Sequence, residues 1–308
     1  MGTVVTLKVY DKGKEDAIEK GFDRIKELAA AITTSDDGKS EVDKINQNAG
    51  IKATSVDKDV FGLIQEGIKY SKASGGDFDI SVGPLTDLWH IGFPDARKPA
   101  DAEIKQVLPL IGYKQVELNE ADRTVFLPKK GMSLDLGGIA KGFIADEVNQ
   151  VFAKLGVRSA IIDLGGNIFA RGTNARGNDW KIGIQNPLLA RGKTVGSLEG
   201  KNLSVVTSGI YERYLEIDGI KYHHILSPFT GYQFNNEVAG VSIISKKSID
   251  GDGLSTAAFA KGVKGGLAYV EQFKDVEAIF VTKDKKIYLT SGLKDNFKLS
   301  DKSFKLIE

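Results

Sequence analysis

Four short stretches concentrate residues whose types and spacing could do chemistry. In "SLDLGGIAKGFIADEV", Ser133 to Val148, the adjacent glycines Gly137 and Gly138 leave backbone amides bare and a helical pattern follows at once. Bare amides at the start of a helix attract anions. Asp135 before the glycines adds an acceptor and Lys141 after them a cation, so the segment reads either as a phosphate or pyrophosphate cradle or as a Gly-rich strand-to-helix turn with a capping Asp. It is neither a Walker loop nor a G-x-G-x-x-G fingerprint. The same Asp-Leu-Gly-Gly returns at Asp163 in "IIDLGGNIFARG", but extended residues follow it, and a bulge or close-packing turn is the favoured reading there.

The third stretch, "SIDGDGLSTAAFAKG", brings Asp250, Asp252, Ser255 and Thr256 together near the start of a small-residue helix. Carboxylate and hydroxyl oxygens within one turn suit Mg2+, although Ser and Asp are also the usual helix N-caps. The fourth, "HHILSPFTGYQ", pairs His223 and His224 ahead of a Pro/Gly turn. A lone histidine pair is more often surface or core than catalytic.

These stretches sit in a chain of 308 residues, 41% hydrophobic and 27% charged, as in an ordinary globular protein with a sizeable core. Lys and Arg number 42 against 41 Asp and Glu, which leaves no basic footprint for nucleic acid. There is no Cys and only three His, so a thiolate or zinc centre is excluded or improbable, and any metal would be hard and oxygen-bound. No apolar run approaches the roughly 20 residues of a membrane-spanning helix.

The elements that must position these groups follow from periodicity. "TVVTLKVY" alternates as a strand, "EDAIEKGFDRIKELAAAI" and "SVDKDVFGLIQEGIKYSKAS" repeat as amphipathic helices, and "QVELNEADRTVFLP" reads as a hairpin. A short helix is expected from Glu103 to Ile111 and a longer one from Gly142 to Leu155. Then come the short strands "SAIIDL", "WKIGIQ", "LSVVTS", "GVSIIS" and "VEAIFVT", with helices from about Leu254 and near "GGLAYVEQF". "GGDFDISVGPLTDLWHIGFPDARKP" shows neither period and reads as a site-lining loop, and the tail "SGLKDNFKLSDKSFKLIE" as surface-packed. The alternation is too irregular for a doubly wound sheet, so an α+β architecture is expected, with mixed or antiparallel sheets and flanking helices. No Pro/Ser-rich linker divides residues 1–308, which predicts one two-lobed unit without a legible internal boundary.

In the order "MGTVVTLKVY", "SEVDKIN", "GGDFDISVGPLTDLW", "SLDLGGIAKGFIAD", "DLGGNI", "TSGIYERY", "HHILSPFTG" and "GDGLSTAAFAKG", the chain resembles the FAD:protein FMN transferase family, the ApbE family, over nearly its whole length. The resemblance implies a Mg2+-dependent enzyme that splits FAD, places the FMN half on a Thr or Ser hydroxyl of an acceptor flavoprotein as a phosphoester, and releases AMP. It implies FAD contacts at Met1, Asp77, Phe78, Asp79, Asp135, Lys141 and Leu226. Metal ligation falls to Asp252, Ser255, Thr256 and the carbonyl of Gly138 or Ala140. The base is either His224 or Asp252. Two alternatives share this site, a FAD pyrophosphatase giving FMN and AMP and a flavin-binding lipoprotein without turnover. The chain departs from many members at Asp36, where an aromatic residue stacks on the ligand, and from some at Lys141 and Ser255, where they carry Glu and Asp. The acceptor is expected to be an electron-transfer or ion-pumping subunit, and the enzyme an extracytoplasmic, membrane-anchored lipoprotein whose leader would lie upstream of residue 1.

Overall fold

The alternation in "TVVTLKVY" becomes an edge strand, β1 (Val5–Val9), of an eight-stranded sheet whose spatial order follows the chain. The other strands are β2 (Ala160–Leu164), β3 (Ile168–Arg171), β4 (Leu203–Gly209), β5 (Val238–Ser245), β6 (Glu277–Thr282), β7 (Lys286–Leu289) and β8 (Lys305–Ile307). Every neighbouring pair is antiparallel except β7 and β8, which run parallel. Among the described residues the α-helices are α1 (Asp16–Ile32), α2 (Glu41–Gln47), α3 (Lys58–Ser74), α4 (Gly83–Trp89), α5 (Asp101–Val107), α6 (Ala140–Lys154), α7 (Ser248–Ala260) and α8 (Gly262–Val270). The computed structural model describes residues 3–34, 38–190 and 192–307. None of its helices is long and apolar enough to cross a membrane.

The chain divides into two units, each built from separated segments. The first comprises Met1–Glu27, Lys141–Tyr211 and Asn236–Glu308 and holds the large sheet. One face of that sheet meets a three-stranded sheet of Lys298–Leu299, Thr194–Gly200 and Trp180–Gln185, with Ile182, Leu198, Val205, Ile279 and Phe297 interleaved in the core between them. β5 is buried along its whole length, as a strand covered on both faces must be. α7 packs on β4 and β5, and its small residues allow this, since a side chain at Gly251 would meet Val206 Cγ2 at 2.5 Å.

The second unit, Leu28–Ala140 with Glu212–Asn235, packs around Trp89, Leu85, Ile104 and Leu226. The fully buried Trp89 donates its indole N–H to the Gly231 carbonyl at 2.9 Å, which satisfies the ring's one polar atom.

Three expectations change. The stretch expected to be a site-lining loop contains α4 and carries this buried Trp, because Pro84 in the first turn starts a helix that its short length hides from periodicity. The tail supplies β8 and the buried Phe297 and Phe304. α7 begins at Ser248, not Leu254.

Candidate functional site

Starting at Ser248 makes Asp252 the fifth residue of α7, inside the helix, while the N-cap is Lys247. The capping alternative for Asp252 within its own helix therefore falls away. Its carboxylate instead reaches another helix start. The Gly142 N–H, one of the first-turn donors of α6 that no helix carbonyl can satisfy, donates to Asp252 Oδ2 at 2.5 Å. Lys141 Nζ stands 3.8 Å from Oδ1. The arrangement is reciprocal: Asp146 of α6 accepts the Ser248 and Ile249 N–H groups at 2.8 and 2.9 Å, capping α7 from outside. Each helix thus places one carboxylate at the positive end of the other.

Asp252 is only 3% exposed. Burial pushes its carboxyl above the usual carboxylate range, while Lys141, the Gly142 amide and Asn167 pull the other way. One turn on, Ser255 is buried, accepting from Ser208 Oγ at 2.8 Å and donating to the Asp252 carbonyl at 3.2 Å. Thr256 beside it is half-buried.

In the second unit the Asp135 carboxylate accepts the Gly137 N–H at 2.8 Å, and the Asp135 N–H donates to the Ile80 carbonyl. Gly137 and Gly138 are exposed while Leu136, Ile139 and Ala140 are buried, so the turn presents backbone. A side chain at Gly138 would meet the Phe78 ring at 3.0 Å. Asp77 is half-buried. Asp79 is buried with both oxygens engaged, Oδ1 by Ser81 and Oδ2 by the Tyr113 N–H, and burial raises its carboxyl. Leu226 lies in the Trp89 core.

The two histidines separate cleanly. His223 donates from Nε2 to the Phe234 carbonyl at 3.1 Å and accepts the Ile225 N–H on Nδ1 at 3.3 Å, so the fold uses both its ring nitrogens. His224 donates from Nδ1 to the Arg213 carbonyl at 3.2 Å, a partner different from those of His223. Met1 and Asp36 lie outside the described residues.

The two Asp-Leu-Gly-Gly copies also separate. Gly165 and Gly166 take φ of +69° and +95° in the turn between β2 and β3, where Asp163 Oδ1 accepts the Gly166 N–H. That is hairpin geometry. Neither Gly137 nor Gly138 has a positive φ, so their bareness serves close approach.

Periodicity missed Asp146, Asp87 and Asn167. Asp87 lines a cleft of about 390 Å3 with His90, Asp95 and Arg97, and burial followed by the nearby Asp135 charge pushes it up to about 6. Asp146 is likewise pushed up to about 6 by burial, against the pull of the Ile249 and Ser248 amides. Because the folded value is raised, this group stabilises below the unfolded value near 4 and loses that contribution as pH rises through about 6. Asp146→Asn is expected to remove on the order of 2 kcal/mol from the decline in stability across that window. Urea unfolding at pH 4.5 and pH 7 checks this, and parallel wild-type and variant slopes would refute it.

The donor set of the first unit fits a hard divalent cation. Asp252, Ser255 and Thr256 offer only oxygen, one of them as a carboxylate in a buried setting. Among the described residues no group of three or more His, Cys, Asp or Glu could hold a metal, so hydroxyl and carbonyl oxygens must complete any shell.

The same α+β fold occurs in solved structures. The ApbE protein of Thermotoga maritima has a TM-score of 0.85 at 30% identity, covering 95% of this chain and 94% of that one. The flavin transferase ApbE of Vibrio cholerae has a TM-score of 0.82 at 26% identity, covering 96% of both. In sequence, the FAD:protein FMN transferase of Klebsiella pneumoniae (strain 342) is 39% identical over 308 residues, which is 100% of this chain and 95% of that protein. That of Treponema pallidum (strain Nichols) is 34% identical over 323 residues, covering 99% and 89%. The ApbE family profile matches residues 1–280. The chain belongs to the ApbE family.

Proposed function

We propose that this protein is a FAD:protein FMN transferase that moves the FMN half of FAD onto a Thr or Ser hydroxyl of an acceptor protein, using Mg2+. The observation that carries this reading is Asp252: a carboxylate buried at the positive start of α6, 3.8 Å from Lys141, in a chain whose relatives bear that name over nearly their full length. The acceptor hydroxyl attacks the FMN-side phosphorus of the diphosphate, the bond to the AMP oxygen breaks, and the hydroxyl proton passes to a base. AMP leaves.

Asp252, Ser255 and Thr256 would hold Mg2+, which when bound neutralises charge on the diphosphate. Lys141 adds a second positive charge beside Asp252, and the first-turn amides of α6 add a partial one. In the second unit, the exposed Gly137-Gly138 backbone with Asp135 and Phe78 is the proposed nucleotide contact, with Asp77 and the backbone at Leu226. Asp79 holds the turn at Ser81 and Tyr113 in place. His224 is the proposed base, since a carboxylate engaged by a cation is a poor one. By resemblance we place the protein outside the cytoplasm, anchored as a lipoprotein, with an electron-transfer or ion-pumping flavoprotein as acceptor.

Incubation with FAD, Mg2+ and a candidate acceptor domain, followed by intact-mass measurement, tests the reaction. The expected result is one added FMN per acceptor together with an equal amount of AMP. AMP without mass gain would assign a hydrolase, and intact FAD a binding protein.

A further inference from the structure

Alternate residues of a strand share a face, and those that β4 turns toward α7 are Ser204, Val206 and Ser208. Each meets a successive turn of the helix. Ser204 Oγ donates to Ser248 Oγ at 2.9 Å, Gly251 lies against Val206, and Ser208 Oγ donates to Ser255 Oγ at 2.8 Å. Two strand residues advance about 6.6 Å and one helical turn about 5.4 Å, so strand and helix stay in step over three contacts. Gly251 permits the approach, since a side chain there would meet Val206 Cγ2 at 2.5 Å and hold the helix off the strand. Two short hydroxyls can bond across an interface only when the backbones come this close.

Ser208 is half-buried and Ser255 is 1% exposed. A serine hydroxyl has one proton and two acceptor positions. Ser255 gives its proton to the Asp252 carbonyl at 3.2 Å and takes the Ser208 proton on one acceptor position. One acceptor position remains, and the other two contacts set its direction. We propose that Ser208 is a positioning residue for the cation site, its hydroxyl fixing the Ser255 side chain so that the remaining lone pair is held ready for the cation. The proposal rests on the reading of Ser255 as a cation ligand. Ligating groups are generally held by hydrogen-bonded neighbours, and loss of such a neighbour typically weakens metal binding by about 10- to 100-fold. A hydroxyl proton facing the cation would repel it, and the Asp252 carbonyl keeps that proton turned away.

The test uses the whole protein and Mn2+ alone, which oxygen sites accept in place of Mg2+ and which electron paramagnetic resonance counts directly. Ser208→Ala removes the donor and is expected to raise the Mn2+ Kd by about 10- to 100-fold. Ser208→Thr keeps the hydroxyl and is expected to bind as the wild type does. Ser255→Ala is expected to weaken binding at least as much as Ser208→Ala, and the double variant to bind no worse than Ser255→Ala, because Ser208 acts only through Ser255. Thermal unfolding of the metal-free variants is read alongside. A Ser208 that serves only the packing of α7 on β4 would lower Tm and leave the Mn2+ Kd unchanged, overturning the proposal, as would equal losses in Ser208→Ala and Ser208→Thr. Should Ser208→Ala not fold, Ser208→Cys, whose thiol is a weak donor, takes its place, and a wild-type Kd there overturns the proposal equally. Weakened binding in Ser255→Ala with none in Ser208→Ala overturns this proposal alone. If the wild type binds no Mn2+, or Ser255→Ala binds it unchanged, the reading of the cation site fails first and this proposal with it.

Discussion

Asp252→Asn is expected to lower AMP release from FAD by about 10³-fold or more while leaving the metal-free protein as stable as before. The carboxylate is the one full negative charge in the proposed donor set, and an amide cannot replace it toward a hard cation. The substitution also turns one acceptor into a donor. If the amide oxygen keeps the Gly142 N–H, its NH2 group faces the Lys141 ammonium 3.8 Å away from the present Oδ1. Removing an oriented electrostatic group from a catalytic site typically costs 10²–10³ in rate, and here the proposed cation would be lost with it. Stability is expected to move the other way or not at all. Burial already raises the Asp252 carboxyl, so a neutral isostere relieves a desolvated charge. AMP release at saturating FAD and Mg2+, with a melting curve of the apo protein alongside, reads both effects. Activity within 10-fold of wild type would remove Asp252 from the reaction.

Gly142→Ala has the largest expected effect on stability, a loss of about 3 kcal/mol in urea unfolding. A methyl group there would meet the Ser248 carbonyl oxygen at 2.4 Å and Ile249 Cα at 2.7 Å. These are backbone atoms at the start of α7, held in turn by Asp146, so no side-chain rotation makes room. α6 and α7 have to separate, and the Gly142 hydrogen bond to Asp252 lengthens with them. Helix propensity alone predicts the opposite sign, because Ala is favoured over Gly by about 1 kcal/mol inside a helix. Gly62 in α3 supplies the control: an added Cβ there meets nothing within 4 Å, and Gly62→Ala is expected to stabilise by about 0.5–1 kcal/mol. Equal stabilisation by both substitutions would show that the two helices do not approach as described.

The local pattern of the chain already contained the strands around Val5–Val9 and Ala160–Leu164, the helix Lys58–Ser74 and the hairpin of Glu117–Asn119 with Thr124–Phe126. Their side chains repeat every two residues or every three to four, a signal carried by near neighbours. The candidate residues themselves were legible for the same reason, since Asp135 and Lys141 flank one glycine pair and Asp252, Ser255 and Thr256 fall within one turn. Where α7 begins was not legible. Gly251, Gly253 and two aspartates are poor helix formers, and the contacts of Gly251 with Val206 and of Ser255 with Ser208 override them.

Tertiary structure alone decided which donors each carboxylate meets. Asp252 meets Gly142 across 110 positions of chain, and Asp146 meets Ser248 across 102. It also gave the two histidines different partners, the Phe234 and Arg213 carbonyls, and the two Asp-Leu-Gly-Gly turns different backbone angles. Asn167 looked like the end of a scaffold turn, and the Ser248 hydroxyl that orients it lies 81 positions away. A side chain's chemistry can be read from its own identity, but its charge state and orientation are set by burial and by partners that only the folded chain brings within hydrogen-bonding distance.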